Sequence, residues 1–397
     1  NGGVFRIQMK MIYLDNAATT KPSEAAVAAA EKVMREDWGN PSSAHALGTA
    51  ASRILESSRA AIISSLGIGA KNGRVIFTGS GTEANNTAIF GAVYSKKRPA
   101  GVSGRGKILT TDSEHPSVEQ VMRRLEGDGF SVVRIPTRGG KIDMSVLEEE
   151  ADSSVIFASF MLANNETGAL YDVRRAAETV KAASPRATVH TDAVQAYAQI
   201  PISMQQYHID LLSASAHKFH GPKGVGFLYV RDGVTMPSFI HGGSQERGKR
   251  AGTENVPGIV GMGKAVELAF CNMRRRIRRE MMLRNYLIEK IMHEIKGVRL
   301  NGHPTNRLPG NVNVSFSGVD GASLLILLYE DGICASGGSA CNTGEERVSY
   351  VIGALGVPDE YAPGTVRMTL SGETTREEID RAVEALKQNL RKLRDEK

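Results

Sequence analysis

The sequence predicts an α/β fold: a mostly parallel sheet covered by helices on both faces, followed by a smaller α+β C-terminal domain. Three observations carry this. Short β-branched runs at 74–78, 107–111, 131–135, 155–160, 187–191 and 225–230 alternate with helical stretches. The chain has 397 residues, enough for two or three domains. After Pro257 the alternation gives way to a long helical stretch, an extended run at Asn311–Phe316, a helix near Gly321–Glu330, an extended run at 365–370 and a terminal helix from Thr375. The expected organisation is an N-terminal segment 1–20 packing on either domain, a large domain 21–260 and a small domain 261–397.

Taken in order, Pro22 and the run SEAAVAAAEKVM read as a helix start with proline in the first turn, and the polar stretch Trp38 to Ser43 ends that helix. The run 74–78 enters Gly79-Ser80-Gly81-Thr82 and then a helix from about Glu83. Glycines let backbone N–H groups converge and a helix N-terminus adds partial positive charge, so this turn suits a phosphate; the same wiring is also ordinary in α/β proteins. It lacks the GxGxxG spacing of a dinucleotide site and the lysine of a P-loop. His190-Thr191-Asp192-Ala193-Val194-Gln195 puts an acid at the carboxyl end of an expected strand, where open α/β sheets hold ligands, although an Asp there could equally cap a helix. Ser213 to Gly224 (SASAHKFHGPKG) offers Ser, His and Lys between extended segments, with a plain surface lysine as the alternative for Lys218.

Composition narrows the function classes. Hydrophobic residues are 41% and charged residues 23%, which excludes global disorder. No purely apolar stretch exceeds six residues, far short of the roughly 20 that cross a bilayer. Residues 1–10 lack the apolar core of a secretory signal, so a cytoplasmic address is expected. The three cysteines, Cys271, Cys334 and Cys341, form no CxxC pair, which argues against a disulfide framework or a structural zinc; no metal is expected. The net charge is +6, and the segment from Cys271 to Arg299 carries nine Lys or Arg against three Glu, so it accounts for the imbalance. Its apolar residues Ile277, Met281, Ile288, Ile291, Met292 and Ile295 recur at helical spacing, so the arginines read as the wet face of an amphipathic helix rather than a nucleic-acid or acidic-partner surface.

Together the clusters supply what a pyridoxal-phosphate site needs: a phosphate anchor, a carboxylate for the ring nitrogen and an amine. The sequence closely resembles the cysteine desulfurases of the NifS/IscS type, class V enzymes of the fold-type I pyridoxal-phosphate group. The resemblance runs from YLDNAATT through GNPSSAH, GSGTEANN, EHPSV, ANNETG, HTDAVQA, SAHKFHGPKGVG, GGSQERGKRAGTEN and SGGSACN to VRMTLSGETT, nearly the whole chain. It implies a seven-stranded type of sheet in the large domain and L-cysteine as substrate. Lys218 would carry the cofactor and later move protons at the substrate α-carbon. Asp192 would pair with the ring nitrogen, Gln195 with the ring hydroxyl, and His115 would stack on the ring and exchange protons. Gly81, Thr82, Ser215 and His217 would hold the phosphate, with Thr253 reaching it from a neighbouring subunit of a homodimer. Asn165 and Arg367 would hold the substrate carboxylate.

Cys341 lies in a small-residue stretch, Ser336 to Gly344, expected to be mobile and to present the thiol that takes sulfur as a persulfide. Cys334, at the end of an apolar run, is expected to be a buried thiol, and Cys271 to sit on the long helix without a catalytic role. The sequence departs from the resembled pattern in reading SGGSAC, in having Leu162 where a His often precedes ANNE, and in carrying Cys334. The stretch after Cys341 resembles the longer-loop subgroup, which implies delivery to several acceptors, such as an iron–sulfur scaffold or a tRNA-thiolation enzyme. Selenocysteine lyase and class V aminotransferase are the alternatives in the same mechanistic class; a non-catalytic sulfur-scaffold adaptor is the alternative outside it. No membrane and no direct nucleic-acid partner are expected.

Overall fold

The computed structural model describes residues 11–67, 69–96, 105–337 and 348–395. The chain divides into two compact units. One comprises residues 19–165 and 169–274; the other comprises residues 1–18, 166–168 and 275–397.

The larger unit is built on a seven-stranded sheet in the order Gly73–Thr78, Gly226–Arg231, Leu211–Ser215, Thr188–Asp192, Val155–Ser159, Lys107–Thr111, Ser131–Ile135. Only Gly226–Arg231 runs antiparallel to its neighbours; the other pairings are parallel. Four central strands are buried along their whole length or nearly so, as a parallel sheet covered on both faces requires. One face packs on the helices Gly81–Ser95 and Pro116–Gly127 through Ile76, Ala88, Ile89, Ile108, Val121 and Leu228. The helix Gly81–Ser95 is buried around much of its circumference, at Ala84, Asn85, Thr87, Ala88, Gly91 and Ala92 among others, so its apolar residues form no single stripe. The fully buried Tyr197 packs on Phe219, Phe227 and Phe270 with ring centroids 5.1, 5.0 and 5.6 Å away.

The smaller unit holds a three-stranded antiparallel sheet, Thr365–Thr369, Asn311–Phe316 and Val298–Leu300, covered by the helices Met273–Glu294 and Arg376–Asp395. Residues Ile12–Tyr13 pair in parallel with Ile333–Cys334, and Asp15 bridges to Thr369, so the segment 11–18 completes this unit.

Three sequence expectations change. The strand Leu211–Ser215 was not foreseen as such, because LLSAS ends in small residues of low strand propensity and owes its conformation to burial between two neighbours. The long helical stretch expected after Pro257 is two helices, Val256–Cys271 and Met273–Glu294, meeting at Asn272, with the basic face on the second. In the second the buried line is Leu283, Leu287 and Ile291, while Met281 and Met292 are 39% and 45% exposed. Two arginines of RRRIRRE are tied to the protein: the half-buried Arg276 reaches Glu280 at 3.3 Å, and the exposed Arg279 donates to the carbonyls of Gly372 and Thr374 at 2.9 and 3.1 Å. Cys334 is half-buried rather than buried, because the strand it belongs to is only two residues long and lies outside the main sheets. Cys271 is the exposed last residue of its helix.

Candidate active site

In the larger unit, the expected site residues follow the carboxyl ends of strands. Gly81 and Thr82 come after Gly73–Thr78, His115 after Lys107–Thr111, and Asn165 after Val155–Ser159. Asp192 and Gln195 come at and after the end of Thr188–Asp192, and Ser215, His217 and Lys218 at and after the end of Leu211–Ser215. That edge is where a parallel sheet opens for a ligand, since connections leave it there on both faces.

The helix Gly81–Ser95 starts with Ser80 as N-cap, its hydroxyl accepting from the Glu83 amide at 3.1 Å. Gly81 is a packing requirement: a Cβ there would lie 2.6 Å from Val194 Cγ2 and 3.2 Å from Ser215 Cβ. A Cβ would therefore fill the space between the helix start and Ser215. With the exposed Thr82, the Ser215 hydroxyl and His217 beside this helix start, the donor set suits a phosphate. Burial and the positive Lys218 and Lys223 pull His217 down to about 4, so it is neutral at neutral pH.

Asp192 is buried and fixed at both oxygens: Oδ2 accepts from Asn85 Nδ2 at 2.7 Å, and Oδ1 from the Val194 amide at 2.9 Å. Asn85 Nδ2 also donates to Ser117 Oγ at 2.9 Å, and Ser117 Oγ lies 2.8 Å from His115 Nδ1. The Ser117 amide donates to the same Nδ1 at 3.1 Å. A backbone amide can only donate, so Nδ1 keeps its lone pair and the proton of neutral His115 is assigned to Nε2. Burial lowers the His115 pKa, with Asp192 opposing and Lys218 adding to the effect. Beneath Asp192, His190 ties three strands together, with Nδ1 2.8 Å from Ser159 Oγ and Nε2 3.0 Å from Ser213 Oγ. Burial drives its pKa down to about 3, so it acts as a neutral cross-strand clamp.

Beside His115, the carboxylate oxygen Oε1 of Glu114 accepts from Thr111 Oγ1 at 2.7 Å and from the Met161 amide at 2.8 Å. Its complete burial raises its pKa to about 8. Thr253 is exposed, on a loop held to the helix start by Arg250 and Glu83 at 2.8 Å. Within that loop Glu246 and Arg247 have φ of 48° and 58°, and Glu246 takes a two-pronged bond from Arg59 at 2.7 and 2.9 Å.

In the smaller unit, Arg367 is 2% exposed, and its Nη2 donates to Asp15 Oδ1 at 2.9 Å. Its backbone exchanges both hydrogen bonds with Ser336, at 3.1 and 2.6 Å. Cys341 and most of the stretch expected to be mobile lie outside the described residues. The sequence reading missed Asn85, Ser117, Glu114 and Asp15. All four stand inside quoted motifs, but nothing in spacing alone joins Asn85 to a carboxylate 107 residues away.

The sheet order, the edge residues and the buried acid define a fold-type I α/β enzyme architecture. The chain belongs to the aminotransferase class-V family, whose pattern matches residues 12–382. Within it the chain groups with the cysteine desulfurases of the NifS and IscS type. It is 41% identical over 388 residues to the cysteine desulfurase IscS of Methanosarcina thermophila, covering 97% of this chain and 93% of that protein. A solved NifS-like protein superposes with a TM-score of 0.88 at 34% identity, over 96% of this chain and 99% of that one. A structure of SspA in complex with cysteine gives a TM-score of 0.77 at 29% identity, over 92% and 100% of the two chains.

Proposed function

We propose that the chain is a pyridoxal-phosphate-dependent cysteine desulfurase that converts L-cysteine to L-alanine and carries the sulfur away as a persulfide on Cys341. The observation that carries this is the fixed Asp192 carboxylate, on a strand in register with Leu211–Ser215, which leads directly into Lys218. Its likeness to proteins named cysteine desulfurase supports the choice of substrate.

In this reading Gly81, Thr82, Ser215 and His217 hold the phosphate, Asp192 and Gln195 the ring, and Lys218 the aldehyde carbon. The cofactor supplies an electron sink for the substrate α-carbon. Lys218 takes and returns the α-proton, and His115 exchanges protons through Nε2, the nitrogen its bonds to Ser117 leave for that work. Asn165 and Arg367 hold the α-carboxylate. The Cys341 thiolate attacks the substrate sulfur: a new S–S bond forms, the Cβ–S bond breaks, and its electron pair stays with the alanine skeleton. The exposed Thr253 supports a homodimer in which it reaches the neighbouring subunit's phosphate. The acceptors are sulfur-receiving proteins such as an iron–sulfur scaffold, in the cytoplasm. Among the described residues no helix is long and apolar enough to cross a membrane.

The test is to incubate holoenzyme with L-cysteine and measure alanine and the mass of the Cys341 peptide. Equal alanine and a gain of one sulfur are expected, and Cys341→Ser should lose both. A Cys341→Ser variant with undiminished turnover would favour the lyase or aminotransferase reading.

A further inference from the structure

Glu166 lies 3% exposed in the smaller unit and belongs to none of the roles assigned above. Its carboxylate oxygen Oε1 accepts from Ser349 Oγ at 2.8 Å. Ser349 is itself buried and starts the helix Tyr350–Ala354 by accepting from the Val351 amide at 3.1 Å. It follows Cys341 by eight positions in the sequence. The backbone carbonyl of Glu166 accepts from Asn311 Nδ2 at 3.2 Å and Asn313 Nδ2 at 3.1 Å. Asn313 is the register partner of Arg367 in the antiparallel sheet. On the other side of the Cys341 stretch, Ser336 exchanges both backbone hydrogen bonds with Arg367. Both flanks of the stretch are thus referred to one residue: Ser336 directly, and Ser349 through Glu166 and Asn313.

We propose that Glu166 is a positioning residue for the sulfur-transfer step, holding Ser349 in register with Arg367 so that the Cys341 stretch is rooted to the strand that takes the substrate carboxylate. This rests on the desulfurase reading. Burial raises the Glu166 pKa to about 7 against the opposing pull of the Ser349 bond and of Arg367, and in either protonation state the carboxyl keeps a lone pair to accept from the buried Ser349 hydroxyl. The bond to Ser349 needs only an acceptor, so glutamine can replace the acid there.

The experiment uses holoenzyme of wild type, Glu166→Ala, Glu166→Gln, Ser349→Ala and the double alanine variant. Alanine formation gives kcat, the cofactor's visible band titrated with L-cysteine gives binding, and iodoacetamide labelling of Cys341 without substrate reports the resting thiol. Glu166→Ala and Ser349→Ala should each lower kcat about tenfold, the scale of one lost charge-assisted hydrogen bond. Binding should change less than about twofold, Cys341 labelling should change in both, the double variant should be no worse than either single one, and Glu166→Gln should restore most of kcat. Multiplying losses in the double variant, equal losses in binding and kcat, or wild-type rates throughout would overturn the proposal while leaving the desulfurase reading intact. A wild-type enzyme that made no alanine would instead overturn that reading, and this proposal with it.

Discussion

Asn85 holds Asp192 from the neighbouring helix: its amide Nδ2 lies 2.7 Å from Asp192 Oδ2, and the same nitrogen reaches Ser117, the partner of His115. One amide therefore orients the acid and, through the Ser117 hydroxyl, reaches the His115 Nδ1 whose tautomer the Ser117 backbone amide fixes. Asn85→Ala should weaken cofactor retention and lower kcat by about tenfold or more, the loss expected when a buried carboxylate gives up a donor. Dialysis against buffer followed by the visible spectrum, with turnover on L-cysteine, measures both. Unchanged retention and rate would refute the role.

Lys218→Ala removes an amine and little apolar packing. The variant should fold with stability within about 1 kcal/mol of wild type and lose covalent attachment of the cofactor. Borohydride reduction of the wild-type holoenzyme and peptide mapping should find the cofactor on Lys218. Any other lysine would show the assignment to be wrong.

Glu246→Gln keeps the left-handed backbone at that position but deprives the largely buried Arg59 of its buried countercharge, leaving only the more exposed Glu56 at 3.1 Å as an acidic partner among the described residues. Arg59 also donates to the Val75 carbonyl at 2.6 Å, and Glu246 accepts from the Phe77 amide at 3.0 Å, so the pair secures the edge strand of the large sheet. The cost should be about 3 kcal/mol in urea unfolding. Arg59→Met in the same chain should recover part of it. A double variant less stable than the single one would count against an unpaired charge as the cause.

Glu114 gives a pH signature. Its folded pKa is raised from 4.5 to about 8 by burial, so the neutral acid is the form the fold favours. That contribution is complete below the unfolded value, declines as pH rises above it, and is lost by about pH 8. Glu114→Gln cannot ionise. The stability advantage of wild type over this variant should therefore shrink between about pH 5 and about pH 8.5, measured by denaturant unfolding at both. Parallel curves would mean that the carboxyl is ionised in the fold.

The alternation of runs was enough to read the sheet because six of its seven strands are runs carrying β-branched residues between polar or glycine-containing turns. Leu211–Ser215 escaped because two serines and an alanine lie on a strand that only its neighbours make extended. Lys218, Asp192 and His115 could be singled out because each stands inside a compact motif. Asn85, Ser117 and Glu166 stand inside quoted motifs as well, but their roles could not be read there: each acts through a hydrogen bond to a residue 32 to 183 positions away, and such pairings exist only once the sheet has formed. The exposed methionines of Met273–Glu294 show the same limit, since periodicity finds an apolar stripe but not which side of it the neighbouring helix covers.

The exchange of backbone bonds between Arg367 and Ser336, with Thr369 donating to the Leu14 carbonyl at 2.6 Å, leaves the arginine's main chain no room to slide. In the proposed enzyme Arg367 is then the zero mark of a ruler. An amino acid whose sulfur sits one methylene further from its carboxylate would present that sulfur about 1.5 Å beyond the working mark, and a pinned strand cannot retreat to bring it back. Selection by chain length would thus come from rigidity at the carboxylate end, before any pocket touches the sulfur.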